Sequence, residues 1–149
     1  MLLEGKVAVV TGAGPNIGGE IARALAREGA RVACVDFLPG RAESAAASVR
    51  EEGGEAVAID ADISRPAEVE RLFAEVDEAF GRVDVLVNNA AVNNEDGILE
   101  MEYDKWKWVQ SVIMDGTMLC SQQAARRMVA QGEGGAIVNT ASSTGHRGK

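Results

Sequence analysis

The chain has 149 residues, 46% of them hydrophobic and 26% charged, enough for one soluble domain with its own core. Its formal net charge of −8 argues against a nucleic-acid partner, which would need a basic face. No apolar run approaches the roughly 20 residues that span a bilayer. Residues 1–6 carry no secretory pattern, so no membrane association and a cytoplasmic location are expected. The two cysteines, Cys34 and Cys120, are far apart and have no His or Cys at ligand spacing. They read as buried free thiols, with no metal site and no disulfide.

The predicted elements alternate. Residues 6–10 form a short β-rich run, and Ile17, Ile21 and Leu25 then recur at helical spacing until Gly29. A second strand covers residues 31–35, an Ala-rich helix residues 41–52, and a third strand residues 56–59. Pro66 is placed to open the next helix, whose apolar stripe is Val69, Leu72, Phe73, Val76 and Phe80 and which Gly81 stops. A fourth strand covers residues 83–87. A polar loop, residues 92–102, is a candidate lip for a ligand cleft. One long helix is expected from Tyr103 to about Gln131, then a turn and a fifth strand at residues 136–139.

Strands alternating with helices of this length imply βαβ units and a parallel sheet. Right-handed crossovers give an α/β, doubly wound sheet, most simply ordered 3-2-1-4-5. Residues 1–149 show no linker and no internal repeat, and read as one domain.

Between the first strand and first helix lies Thr11-Gly12-Ala13-Gly14-Pro15-Asn16-Ile17-Gly18. Glycine permits the tight turn and a close backbone approach. The helix N-terminus then turns unpaired N–H groups and a positive dipole end toward a pyrophosphate. A Gly-rich string alone is weak evidence, but its place at the first βα junction is the context such a loop requires. Asn16 stands between Gly14 and Gly18, and asparagine is the non-glycine residue that best tolerates a left-handed backbone.

This loop resembles the TGxxxGxG loop of the short-chain dehydrogenase/reductase family, with Asn16 in place of the middle glycine. Further landmarks resemble the family in chain order. Asp36 ends the second strand, 24 residues after Gly12. The resemblance implies that it accepts hydrogen bonds from the adenosine ribose and disfavours a 2′-phosphate, so NAD is the expected cofactor. Asp62-Ile63 match the family's pair beside the adenine. Asn88-Asn89-Ala90-Ala91 match its NNAG motif, with Ala91 where glycine is usual. Asn88 is then expected to brace neighbouring strands, and Asn89-Ala90 to lie along the cofactor. Ile137-Val138-Asn139-Thr140-Ala141-Ser142-Ser143 resemble the segment that delivers the catalytic serine, by position Ser142.

The resemblance thus implies a Rossmann domain that binds NAD through Gly12, Gly14, Asn16, Ile17, Gly18, Asp36, Asp62, Ile63, Asn89 and Ala90. It implies hydride transfer between nicotinamide and a small alcohol or ketone, in a homodimer or homotetramer. Two departures stand out. Ile113 occupies the position of a family Asn that helps hold a proton-relay water, and Asp115, two residues on, points elsewhere on a helix. The family's Tyr-x-x-x-Lys pair lies about a dozen residues beyond the serine, and this sequence ends at Lys149. The domain is therefore expected to be incomplete at its C-terminus. By itself it would lack the acid/base group and leave the fifth strand as an edge.

Tyr103, the single tyrosine, reads as a helix-start surface residue, and His146 as a loop residue. Trp106 and Trp108, two apart on a helix, cannot share a face, so one is expected in the core and one at a surface or interface. Met114, Met118 and Met128 read as packing. The alternative to an enzyme is an NAD-binding protein without turnover, or an inactive fragment. Ile113 and the missing pair favour that alternative for this chain. Ser142 argues for catalysis, since a pure binder has no need of it.

Overall fold

The computed structural model describes residues 1–143; His146 lies outside the described residues. The elements run β1 (Val7–Thr11), α1 (Ile17–Arg27), β2 (Arg31–Asp36), α2 (Arg41–Glu51), β3 (Ala56–Asp60), α3 (Pro66–Phe80) and β4 (Val85–Asn88). Then follow α4 (Tyr103–Gln110), a π-helical turn (Ser111–Asp115), α5 (Gly116–Gln131) and β5 (Ala136–Asn139). The five strands are all parallel, in the order β3-β2-β1-β4-β5. This is the expected doubly wound sheet.

Side chains alternate across the sheet. Val7 and Val9 of β1 join a core with Leu72, Phe73 and Val76 of α3 and Cys120 and Ala124 of α5. Ala8 and Val10 face the other way, into a core with Ala22 of α1 and Ala45 and Val49 of α2. Both faces of the central strands are thus covered, which is why those strands read as nearly unbroken apolar runs. Gly81 and Gly132 close α3 and α5 in the left-handed conformation, so these helices end where the sequence places a residue without a Cβ. Both cysteines are buried and free, and burial pushes each thiol up to about 12, which leaves them unreactive near neutral pH.

Three expectations are corrected. The fourth strand begins at Val85 rather than residue 83. Val83 is instead held by the Gln131 side chain, whose Oε1 accepts the Val83 N–H at 2.9 Å and whose Nε2 donates to the Val83 carbonyl at 2.9 Å. That amide does for Val83 what a neighbouring strand would do. The long helix is not uniform: its middle turn is π-helical, with one residue more than an α turn. The methionines divide: Met128 is buried, whereas Met114 and Met118 are exposed. Beyond β4, strand β5 pairs with the sheet, but all four of its residues are exposed.

Asp84 ties the N-terminal end of the sheet together. Its carboxylate accepts from the Val7 N–H at 2.9 Å, from Arg82 at 2.7 and 2.8 Å, and from Lys6 at 3.3 Å. Burial works against its charge, but these donors outweigh burial and hold the carboxyl below its ordinary value. A depressed value contributes stability that is present above the unfolded pKa, about 3.9. That stability is lost as the pH falls through the folded pKa. Asp84→Asn should cost about 2 kcal/mol at neutral pH, the worth of hydrogen bonds to a charged group. In urea titrations the gap between the parent and Asp84→Asn should close as the pH falls below about 4. A gap that stays constant down to the lowest pH at which both fold would show that the charge contributes nothing.

Candidate functional site

The site forms where β1 and β4 part company. Connections leave β1 for one face of the sheet and β4 for the other, so a crevice opens beyond their carboxyl ends. There the structure has a cavity of about 280 Å³. It is lined from the ends of four strands: Gly12, Gly14, Asn16, Ile17 and Gly18 after β1, Asp36 and Phe37 at β2, Ala61, Asp62 and Ile63 after β3, and residues 89–92 after β4. Trp108 and Val112 close it from the helix above. All ten residues assigned to the cofactor from sequence therefore surround one cavity. Ser142 does not line it.

The glycine loop is held by close backbone packing. Gly12 has φ +63°, and a Cβ there would stand 2.7 Å from the Ala90 Cα. A Cβ on Gly18 would stand 2.0 Å from the Gly12 carbonyl oxygen. Here the expectation for Asn16 is corrected. Its φ is −97°, and among the described residues only glycines have positive φ. The middle position of this loop therefore needs no left-handed residue.

Loop and β4 are tied to each other by two side chains. Asn89 Nδ2 donates to the Gly12 carbonyl at 3.1 Å and to the Thr11 carbonyl at 3.3 Å. Thr11 Oγ1, fully buried, accepts from the Asn89 N–H at 3.1 Å and the Ala90 N–H at 3.2 Å. Sequence reasoning gives Thr11 no role, although it opens the loop motif; its signal is a hydroxyl at the end of an otherwise apolar strand. Asn88 points the other way. Its Nδ2 donates to Asn139 Oδ1 at 2.9 Å and to Ser121 Oγ at 3.0 Å, bracing β4 against β5 and α5.

Two carboxylates mark the far end of the cavity. Asp36 is buried, and its Oδ1 accepts the Leu38 N–H at 3.0 Å, which fixes the turn leaving β2. No described residue donates to its second oxygen. Asp62 is held in its own turn, its Oδ1 accepting from the Ser64 N–H at 3.0 Å and hydroxyl at 2.7 Å. An acceptor at β2 and a cradle of backbone too tight for any Cβ suit a ligand with hydroxyl groups at one end and phosphates in the middle.

The family model described as short chain dehydrogenase matches residues 6–149. The chain belongs to the short-chain dehydrogenase family. Sorbitol dehydrogenase of Cereibacter sphaeroides is 40% identical over 149 residues, all of this chain and 57% of that protein. Meso-2,3-butanediol dehydrogenase of Serratia marcescens is 39% identical over 145 residues, 97% of this chain and 56% of that protein. The crystal structure of a short chain dehydrogenase from Mycobacterium smegmatis superposes with a TM-score of 0.94 at 33% identity, covering 99% of this chain and 62% of that one. An NAD+-bound xylitol dehydrogenase gives 0.93 at 35% identity, covering 100% of this chain and 57% of that one. The chain thus spans a little over half the length of these relatives.

The helix over the cavity departs from expectation. Val112 is buried and lines the cavity, while Ile113 faces outward at 38% exposure and does not line it. Asp115 is exposed as well. Neither tryptophan is core: Trp106 and Trp108 are both about half exposed, and Trp108 lines the cavity together with Val112. Of the polar loop at residues 92–102, only Val92 reaches the cavity. Ser142 lies exposed beyond the carboxyl end of β5, three residues past Asn139.

Proposed function

We propose that this protein is an NAD-dependent oxidoreductase that moves hydride between nicotinamide and a carbon bearing an alcohol or ketone. The observation that carries this is the single cavity that joins the Gly12–Gly18 cradle to Asp36 and Asp62. In this reading the loop N–H groups and the N-terminus of α1 hold the pyrophosphate. Asp36 takes the adenosine ribose hydroxyls, Asp62 and Ile63 flank the adenine, and Asn89 and Ala90 lie along the cofactor. Bound there, NAD supplies the hydride acceptor. The relatives' names, sorbitol and butanediol dehydrogenases, support a small alcohol or polyol as substrate. Among the described residues no helix is long and apolar enough to cross a membrane. We take the protein to act in the cytoplasm as a homodimer or homotetramer, with the exposed Ile113, Met114 and Met118 meeting a second copy.

The test is NAD reduction by the whole protein over a panel of secondary alcohols and polyols. Formation of NADH supports the proposal. Tight NAD binding with no turnover of any alcohol, and no reverse turnover of ketones, would leave an NAD-binding protein instead.

Asp36 makes NAD the cofactor rather than NADP. A hydrogen bond from ribose to a carboxylate is worth about 1.5–3 kcal/mol, and a carboxylate facing a 2′-phosphate is repelled. NAD should bind at least about tenfold more tightly than NADP, a difference of about 1.4 kcal/mol. Asp36→Ala should shrink the difference. Equal dissociation constants for the two in the unmutated protein would remove Asp36 from this role.

A further inference from the structure

We infer that the Trp108 indole is the outer wall of the adenine subsite, a ring placed to lie against the purine. The inference rests on the dinucleotide reading above. It adds a contact from the helix over the cleft to those that the strand ends supply.

Trp108 sits on α4, and none of the eight residues of that helix is buried. Most helical stability in proteins comes from packing an apolar face, and α4 has no such face within the described residues. Trp108 is 46% exposed, yet it lines the cavity with Val112. An indole half in water forgoes apolar burial that a flat ligand in the cavity would supply.

The helix face decides which part of the ligand the indole meets. Trp108, Val112 and Gly116 are spaced by four. On a regular α-helix, at about 100° per residue, positions eight apart drift round the axis by about 80°. The turn at Ser111–Asp115 is π-helical, and its extra residue takes up most of that drift. The three positions therefore share one face. Where that face reaches the sheet, Gly116 lies against Ile63: a Cβ there would stand 2.7 Å from Ile63 Cδ1 and 2.8 Å from its Cγ1. Asp62 and Ile63 follow β3, at the edge of the sheet opposite to β5. In the dinucleotide reading this is the adenine side, whereas the reacting end lies toward Ser142 beyond β5. The face that carries Trp108 thus stands over the purine. Stacking on an aromatic ring asks only for the flat face of a base. Trp106, two residues away, cannot share that face and does not line the cavity.

Fluorescence and calorimetry with 5′-AMP on the whole protein test this. The probe carries adenine, ribose and one phosphate, and no nicotinamide. A purine stacked on an indole quenches its emission. Saturating 5′-AMP should therefore quench tryptophan emission in Trp106→Phe, which keeps Trp108, and not in Trp108→Phe. Trp108→Ala should weaken 5′-AMP and NAD by the same factor, about tenfold, or 1.4 kcal/mol. Trp108→Phe, which keeps an aromatic face, should lose about threefold or less, and Trp106→Ala should leave both dissociation constants unchanged. No residue of α4 is buried, so these variants leave the core intact, and unchanged urea midpoints check that. If 5′-AMP binds while the Trp108 emission stays constant, or if Trp108→Ala binds it as the parent does, the indole does not meet the adenine and the dinucleotide reading still stands. If NAD quenches Trp108 and 5′-AMP does not, the indole faces the nicotinamide end, which overturns the inference. If neither NAD nor 5′-AMP binds the unmutated protein, the dinucleotide reading falls and takes this inference with it.

Discussion

Gly18→Ala is expected to weaken NAD binding by about a hundredfold or more, about 2.7 kcal/mol. The reason is geometric. An added Cβ would stand 2.0 Å from the Gly12 carbonyl oxygen, 2.8 Å from the Gly12 carbonyl carbon and 2.8 Å from Asn89 Nδ2. Two of these three neighbours are backbone atoms, so no rotamer change relieves the clash. The loop must move off the N-terminus of α1, where its N–H groups and the helix dipole are aimed at the same place. Moving the Gly12 carbonyl also breaks its hydrogen bond from Asn89, which ties the loop to β4. A control separates this from glycine loss in general. Gly53 has φ +87°, and an added methyl there would meet nothing within 4 Å, so Gly53→Ala should cost about 1 kcal/mol of stability with NAD affinity retained. Calorimetric titration of both variants, with urea unfolding alongside, checks the pair. A folded Gly18→Ala protein that binds NAD within about threefold of the parent would mean that the loop does not cradle the ligand.

The fold is legible in the sequence because its elements are strongly patterned. Apolar runs too short for helices, a stripe such as Val69-Leu72-Phe73-Val76-Phe80, and stops at Gly29, Gly81 and Gly132 leave little choice of element type or order. The cofactor residues are legible as a set because they cluster at βα junctions, and in a parallel sheet all those junctions share one edge. Less is legible where a side chain reaches across elements. Pattern alone places Trp108 near the start of a helix and no further, because periodicity tells which residues share a face but not what the face meets. The π turn at Ser111–Asp115 escapes for a related reason. One extra residue in a helix leaves the apolar spacing on either side intact while turning Val112 toward the cavity and Ile113 away. Asn16 misleads because its residue type suggests a left-handed backbone, whereas in this loop the positive φ belongs to Gly12, and Gly12 and Gly18 both lack room for a Cβ.

Ser142→Ala is expected to lower kcat of the whole protein by about 10²–10³, the usual cost of removing one donor to a developing oxyanion. The local structure supports the assignment. Asn139, at the end of β5, is fastened to β4 by the hydrogen bond from Asn88, and the Thr140 N–H donates to the Asn88 carbonyl at 3.0 Å. The segment leading to Ser142 is therefore anchored beside Asn89 and Ala90, which border the cavity. Ser142 itself lies outside the cavity lining, on the side away from Asp36 and Asp62 in strand order. That is where the reacting end of a ligand would emerge. As the proton leaves the alcohol oxygen, or as hydride adds to a ketone in the reverse direction, negative charge collects on that oxygen, and a hydroxyl aimed there stabilises the transition state more than the neutral ground state. The serine works as a hydrogen-bonding group and not as the base, since a serine hydroxyl is itself a poor proton acceptor near neutral pH. The loss should therefore fall on kcat, with the NAD dissociation constant close to that of the parent because its contacts lie on β1 to β4. Ser143→Ala, one residue on, should show a much smaller effect. If instead Ser142→Ala keeps kcat within about threefold while Ser143→Ala loses it, the serine has been placed one residue too early. If neither changes the rate, this strand does not deliver the group that orients the substrate.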